Sequence, residues 1–578
     1  MLQRVRIWML MAAVALASQV VTAQKVAVPQ YVPSDVQAFV SVVEANEMWA
    51  AFAQTPLYKE LVGVWQLPQV QNDPDLQEFQ LLLDKASVDL GFSLKPADLF
   101  GEHLKGADLY ITQAPGAGEP NLLVVSRFSD AAKANAVADF IEGEIRKQSE
   151  DRKLAGLEPL AVQRTDLPGG VQVVGVESEN LFFTSKDDLL FLSSSNAVMA
   201  DSLASPGESR LLENTAIVEN FGELSSASGQ VTYYFSGSML ATIAQAAGNP
   251  MLGSAQLPRS TAGTLTVRPT RIESTSYMAG LPASGALLQL ASVPGGDLAN
   301  LLRYGHANAL IAFAANTVDG PAMLAALNEQ AKTNPQAAYQ MEETLNQLRT
   351  VCAENGLSFD TDVLEAFGPE AGFFFNAFDM TNMAAPNLDF LAVAKIRDRE
   401  KADKVLAALE RAAGKYLTQQ AQSMGGTPPP AEPSVESYAN ATVRSMVYNH
   451  PLFNVPMGLT TARTEDGYLL ISLTPQPVKS ALDRGDGAAG SLVSSPALGA
   501  ARVALLPEYN QFLVVNVEQI GTTLQMFLPM LMARMQGSGQ DMASINQLAA
   551  LVRSVGTAYV TSAVSPDGNR INAVLSME

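Results

Sequence analysis

Cysteine and histidine are nearly absent from this 578-residue chain, which contains one cysteine and three histidines. With Cys352 alone there is no internal disulfide framework, so stability must come from burial of apolar side chains. The histidines, His103, His306 and His450, are far apart in sequence and show no metal-ligand spacing. We therefore expect no dedicated metal site and no cofactor.

The sequence motifs of familiar enzymes are also lacking. There is no Gly-x-Ser-x-Gly nucleophile elbow, no phosphate-binding loop and no dinucleotide fingerprint. Acidic pairs such as Glu142 and Glu144 occur, but pairs are expected by chance among 58 acidic residues. We predict no catalytic or cofactor-binding residues and favour a non-enzymatic protein. The alternative is a hydrolase-type enzyme without a recognisable motif.

Positive charge is scarce. The chain has 37 basic against 58 acidic residues, a formal net charge of −21. Such a balance repels phosphate backbones and argues against nucleic-acid binding. Apart from the first residues, no apolar run reaches transmembrane length without a charge or a proline. We therefore expect no stable membrane span once the leader is removed.

The first residues have the pattern of an export signal. Arg4 and Arg6 precede the apolar run Ile7–Ala17, and the small-residue site Val21–Ala23 fits cleavage after it. We predict a signal peptide over residues 1–23 and an exported mature protein, periplasmic or secreted. An uncleaved membrane anchor is the alternative, although the run is short for a span of about 20 residues.

One stretch of the chain occurs twice. Asn121–Lys147 has the pattern of a strand, a turn and a helix, and Asp389–Lys415 repeats it with eight identities over 27 positions. In each copy an aspartate, Asp130 or Asp398, stands where the strand gives way to the helix. A carboxylate there accepts hydrogen bonds from the free amides of the first helical turn. We predict two helix caps rather than two catalytic groups.

Further parallels extend the repeat. Gly91–Gly101 and Gly356–Gly368 both leave a helix through glycine, which suits a helix C-cap, and both lead into a strand. Strands follow one another in runs that can pair as meanders. We predict an α+β fold with two tandem homologous modules, each a mainly antiparallel sheet packed with helices. Module one covers residues 28–282, a connector 283–304, and module two 305–578; a parallel α/β fold is the alternative.

The most unusual stretch is Ile520–Met535, which is rich in methionine and leucine. It contains Pro529, which should kink or break a helix. A helix that is apolar all round must be buried against something. Methionine-rich surfaces adapt to varied apolar partners. An interior helix is one interpretation. The other is a surface for an apolar ligand or a protein partner, formed by Leu524, Phe527, Leu528, Leu531, Met532 and Met535.

The segment Val32–Leu61 resembles a family of uncharacterised exported bacterial proteins, a domain of unknown function (family 3352). The residues that carry the resemblance are Pro33, Asp35, the apolar strand Ala38–Val43, Trp49 and the phrase Gln54-Thr55-Pro56-Leu57. The resemblance implies export and a repeated α+β build, and it implies no activity, cofactor or catalytic residue. We expect an exported, non-enzymatic binding or envelope-associated protein of unknown ligand. A structural or assembly component of the cell envelope is a further alternative.

Overall fold

The computed structural model describes residues 31–33, 35–113, 120–167, 170–204, 214–224, 229–246, 258–280, 298–316, 320–322, 324–325, 328, 335–379, 387–423, 430, 432–449, 456–485, 490–523, 525, 549–565 and 568–577. The chain divides into two compact units, unit 1 up to Gly280 and unit 2 over Leu281–Ser576. Both combine helices with an antiparallel sheet, so the predicted α+β class is confirmed.

Unit 1 is built on one antiparallel sheet. Its described strands are β1 (Val36–Val43), β2 (Leu104–Gln113), β3 (Pro120–Phe128), β4 (Val162–Leu167), β5 (Val171–Val176), β6 (Leu181–Lys186), β7 (Leu189–Ser193), β8 (Val231–Ser236), β9 (Ser260–Arg268) and β10 (Arg271–Ala279). They pair in the order β4-β5-β6-β7-β3-β2-β1-β8-β9-β10. The first described strand, β1, therefore lies in the interior of the sheet, between β2 and β8.

Helices cover both faces of this sheet. They are α1 (Ala45–Phe52), α2 (Pro56–Trp65), α3 (Pro68–Gln71), α4 (Pro74–Leu90), α5 (Pro96–Asp98), α6 (Ala131–Leu154), α7 (Asn196–Ala204), α8 (Thr215–Glu223) and α9 (Gly237–Ala246), with a π-helical turn at Leu99–His103. Side chains alternate along β1 because successive residues of a strand point to opposite faces. Phe39 enters the core beneath α8, whereas Val40 and Val42 pack against Met48 of α1.

Unit 2 is built on a second antiparallel sheet. Its described strands are β11 (Ile311–Asn316), β12 (Phe367–Asp379), β13 (Asn387–Ile396), β14 (Ser434–Tyr438), β15 (Ala441–Asn449), β16 (Pro456–Arg463), β17 (Tyr468–Ser472), β18 (Gln511–Asn516), β19 (Thr557–Ser565) and β20 (Gly568–Ser576). They pair in the order β14-β15-β16-β17-β13-β12-β11-β18-β19-β20.

The helices of unit 2 are α10 (Ala299–Leu302), α11 (Pro335–Glu354), α12 (Leu364–Ala366), α13 (Arg399–Ser423), α14 (Pro475–Gly485) and α15 (Pro496–Ala501), with a π-helical turn at Phe359–Val363. One face of the sheet forms the main core with α10 and α14. Leu301, Leu302 and Tyr304 belong to this core, although the sequence places them in the connector predicted at 283–304.

The two repeated aspartates cap helices, as predicted. Asp130 Oδ1 accepts a hydrogen bond of 3.0 Å from the main-chain N–H of Lys133 at the start of α6. Asp398 Oδ1 accepts bonds of 3.0 and 3.1 Å from the main-chain N–H groups of Glu400 and Lys401 at the start of α13. The strand-to-helix junction therefore has the same local chemistry in both units.

The two predicted glycine C-caps are also confirmed. Gly91 follows α4 with φ +73°, and Gly356 follows α11 with φ +74°. Only glycine adopts this left-handed conformation without a steric cost. Among the described residues, no helix is both long enough and apolar enough to cross a membrane.

Candidate functional site

The six residues predicted to form an apolar surface, Leu524, Phe527, Leu528, Leu531, Met532 and Met535, lie outside the described residues, as does the predicted signal at 1–23. The described chain approaches this segment from β18 through helical residues 517–523. It resumes at residue 549, shortly before β19. Since β18 and β19 are paired neighbours, both ends of the segment are attached to one part of the unit 2 sheet.

The unit 2 sheet is apolar on both of its faces. We call the face opposite the main core the outer face. It carries Ile311, Phe313, Phe373, Phe375, Phe390, Ala392, Leu513, Val515, Ala558, Val560, Ala573 and Leu575, and each of these is part-exposed or exposed. Antiparallel sheets usually alternate apolar and polar side chains, because one face is solvated. Here neither side is polar across six adjacent strands.

Phenylalanine side chains lie at the centre of the outer face. Phe313 is paired with Phe373 across β11 and β12, and the two side chains are 41% and 40% exposed. The ring of Phe390 lies 4.9 Å from that of Phe373, measured between centroids, at an interplanar angle of 57°. Contiguous exposed apolar surface of this kind marks interaction sites in soluble proteins.

The face of the unit 1 sheet that carries Val40 and Val42 differs. Both side chains are buried beneath α1, where Met48 packs against them. Trp49 of the same helix stacks on Phe100, with ring centroids 5.7 Å apart. A helix therefore removes this face of unit 1 from solvent, whereas aromatic rings on the outer face of unit 2 stay accessible.

A hydrogen-bonded tyrosine cluster lies at the turn before β17. The Tyr304 hydroxyl donates to Asp466 Oδ1 at 2.9 Å, and the Tyr468 hydroxyl donates to Glu370. Burial raises the pKa of both phenols, and the bond to Glu370 raises that of Tyr468 further. Arg303 also donates to Asp466. The hydroxyls therefore stay protonated at neutral pH, and their hydrogen bonds brace the turn before β17.

A second polar cluster surrounds Arg484 near the start of β11. Arg484 is 6% exposed, and its Nε and Nη2 donate bonds of 3.1 and 2.8 Å to the carbonyl oxygen of Tyr304. The main-chain N–H of His306 donates to Asn376 Oδ1 at 3.1 Å, and Asn376 Nδ2 donates to Asp389 Oδ1 at 3.0 Å. Burial lowers the pKa of His306, and the charge of Arg484 adds to this shift.

Sequence reasoning missed this second cluster. Its residues are scattered from position 304 to position 484, and no motif connects them. A β-bulge in β12, between Phe375 and Ala377, adds Asn376 to the strand and brings it to Asp389. Bulges often redirect a side chain beside a functional site.

A groove of about 820 Å³ with a mixed polar and apolar lining runs along the second half of α13. Arg411, Lys415 and Gln419 line one wall, while Pro430 and Glu432 line the other. The second wall belongs to the proline-rich insertion that follows α13. The groove therefore combines charged and polar side chains with apolar ones such as Met446.

Unit 1 has a buried carboxylate in its core. Asp108 accepts hydrogen bonds from the Ser41 hydroxyl at 2.6 Å and from the Tyr110 hydroxyl at 3.0 Å. All three side chains are 0% exposed, so no substrate reaches them. Over the part of the chain that the structure describes, no group of three or more His, Cys, Asp or Glu residues is positioned to hold a metal ion.

The protein therefore belongs to the α+β class, and the sheet of unit 2 exposes aromatic side chains on its outer face. Residues 307–558, which include that face up to β19, match the family model described as "Protein of unknown function (DUF3352)". The family resemblance is therefore confirmed for this part of the chain. The family description names no activity.

Comparison with curated proteins finds no match. Among solved structures, the chain is similar to "Structure of crystal form III of TP0453", with 11% identity over 43% of this chain and 78% of that chain, and a TM-score of 0.23. A second is "Structure of crystal form I of TP0453", with 11% identity over 44% and 79% and a TM-score of 0.22. At these scores the likeness carries no argument.

Proposed function

We propose that the protein is an exported, non-enzymatic binding protein that holds an apolar ligand on the outer face of unit 2. The observation that carries this proposal is the pair Phe313 and Phe373, two neighbouring rings each about two-fifths exposed. Full burial of a phenylalanine side chain is worth roughly 1.5–3 kcal/mol, so covering the exposed part of each ring contributes about 1 kcal/mol.

The ligand we propose is a fatty acyl chain. The described residues of the outer face carry aliphatic and aromatic side chains, and a flexible hydrocarbon can follow a gently twisted sheet surface. Such a ligand needs no directional hydrogen bonds from the face, which offers none from its central side chains. An enzyme acting at this face would need a nucleophile or an acid–base pair there. The tyrosine cluster does not supply one, because Tyr304 and Tyr468 belong to the main core on the opposite side of the sheet.

We also propose that the two units are copies of one module. In support, the strands of each unit pair in the same relative order, from the fourth strand at one edge to the tenth at the other. A π-helical turn precedes the second strand of each unit, at Leu99–His103 and Phe359–Val363. On this proposal, binding belongs to unit 2 because its copy of the outer face is open.

Export stays a proposal that rests on the leader pattern of residues 1–23. Intact-mass measurement of the protein from its own host tests it. A mass that starts at Gln24, in material from a periplasmic or extracellular fraction, supports export. A full-length mass in the cytoplasmic fraction contradicts it.

Binding is tested with palmitate and the purified full-length protein by isothermal titration. Phe373→Ser places a hydroxyl at the centre of the outer face and should weaken palmitate binding by about tenfold or more. Val503→Ser is the matched control, because Val503 is 84% exposed in unit 2 but lies outside the outer face. Equal palmitate binding by the two variants, or no binding by the unsubstituted protein, overturns the proposal.

Native mass spectrometry of material from the host adds a second readout. A retained lipid supports the acyl-chain proposal. If the protein is a homodimer and Phe373→Ser converts it to a monomer, the outer face binds a protein partner instead. That result would contradict the acyl-chain proposal.

A further inference from the structure

Arg484 is a buried cation with unused hydrogen-bonding capacity. It lies in the last turn of α14, and its hydrogen bonds among the described residues are two, both to the carbonyl oxygen of Tyr304. A guanidinium group has five N–H donors. A buried charge is costly unless it is paired and hydrogen-bonded. Within the part of the chain that the structure describes, Arg484 forms no ion pair with a carboxylate.

The carboxylate of Asp389 is close enough for its charge to act on Arg484, although the two groups form no ion pair. Asp389 lies on β13 beside the bulge of β12 and accepts one bond, of 3.0 Å, from Asn376. Burial lowers the pKa of Arg484, whereas the charges of Asp389 and Asp483 raise it, so these groups act on one another. Asp483 is itself held by the Tyr438 hydroxyl, at 3.0 Å from each oxygen. Of these two carboxylates, Asp389 is therefore the one with acceptor capacity left among the described residues.

His306 adds a neutral donor to the same cluster. Its Nδ1 accepts a bond of 3.0 Å from the main-chain N–H of Asn308, which leaves the proton on Nε2. The charges of Arg484 and Asp389 both act on this imidazole. The backbone next to His306 is tied to a neighbouring segment, because the carbonyl oxygen of Gly305 accepts a bond of 2.9 Å from the main-chain N–H of Leu492.

We propose that Arg484 and Asp389 form a binding site for a small zwitterion, such as a free α-amino acid. The ligand carboxylate would lie on the unused N–H groups of Arg484, with His306 Nε2–H as an additional donor, and the ammonium would lie on Asp389. An anion alone is repelled by Asp389, and a cation alone by Arg484. A zwitterion satisfies both charges. The site is separate from the outer face and does not depend on the acyl-chain proposal.

Isothermal titration of the full-length protein with glycine, sodium acetate and methylammonium chloride at equal ionic strength tests the site. We expect glycine to bind about tenfold or more tightly than either single ion. If acetate binds as tightly as glycine, the site is an anion site, and the proposal of a zwitterion site is overturned. No binding of glycine or of L-alanine at millimolar concentration would also overturn it.

Asp389→Asn is the decisive variant, because the amide oxygen can still accept the bond from Asn376 while the charge is lost. It should weaken glycine binding by about tenfold and leave acetate binding equal or stronger. Arg484→Lys keeps a positive charge but loses the planar guanidinium with its several donors. It should weaken the binding of both glycine and acetate. Thermal unfolding of each variant checks that the fold persists. Unaltered glycine affinity in a folded Asp389→Asn protein contradicts the proposal.

Discussion

Phe373 and Phe374 are consecutive residues of β12, yet the Phe373 side chain is 40% exposed and that of Phe374 is 0% exposed. The alternation of side chains along a strand sends Phe374 into the main core of unit 2 and Phe373 onto the outer face. Two identical side chains in one strand therefore have different duties. Phe374 contributes to the stability of the core, and Phe373 is left accessible on the outer face.

This relationship predicts opposite outcomes for two alanine substitutions. Phe374→Ala should lower the free energy of unfolding by about 3–5 kcal/mol, because it removes a core ring and leaves a cavity. Phe373→Ala should lower it by less than about 1 kcal/mol. Equilibrium unfolding in urea, followed by circular dichroism, measures both. A large loss for Phe373→Ala would show that the outer face is covered in the folded protein.

Two glycine-to-alanine substitutions, one at a helix C-cap and one inside a helix, should change the stability of the protein in opposite directions. Gly356→Ala should destabilise the protein by about 1–2 kcal/mol because φ +74° is unfavourable for a side chain, although a Cβ there meets nothing within 4 Å. Gly143→Ala, inside α6, also meets nothing within 4 Å. It should stabilise by up to about 1 kcal/mol, since alanine is the better helix former. Thermal or chemical unfolding of both variants checks the contrast.

Asp130 should titrate at an unusually low pH. Bonds from the Lys133 side chain and main-chain N–H lower the pKa of Asp130 from 3.8 to about 2. Since the folded-state pKa lies below the unfolded one, the contribution to stability is complete above about pH 4 and is lost as pH falls towards 2. NMR titration of the Asp130 carboxyl carbon measures the pKa. Lys133→Met should move that pKa upward, and an unchanged value would contradict the assigned cause.

Local chemistry explains which parts of the fold were predictable from the sequence. Asp130 and Asp398 act within their own helical turns, and Gly91 and Gly356 act through their own φ angles, so spacing alone identifies their roles. The outer face was not predictable, because alternation along β12 shows two apolar faces but not which one is left uncovered. Arg484 was missed for a related reason, since only the folded topology brings it to Tyr304.

The Met-rich surface is predicted from the sequence, whereas the outer face is observed in the structure. The first came from composition at Leu524–Met535, which lies largely outside the described residues. The second comes from strand pairing and exposure on β11, β12 and β18. They point to the same part of unit 2 because the Met-rich segment is attached to β18 and β19. Substitutions on the outer face therefore test the apolar-site hypothesis with residues whose surroundings are described.

The ion pair between Glu410 and Arg444 should couple α13 to β15. Arg444 Nε and Nη2 donate bonds of 2.6 and 2.8 Å to the two oxygens of Glu410, a two-bond geometry that favours arginine over lysine. The carboxylate is mostly buried, but the guanidinium is 42% exposed, so solvent screening limits the coupling energy to about 1 kcal/mol. A double-mutant cycle with Glu410→Gln and Arg444→Met, measured by urea unfolding, gives this energy. It should shrink at high salt, because charges near the surface are screened. Strictly additive single substitutions at low salt would show that the pair contributes nothing to stability.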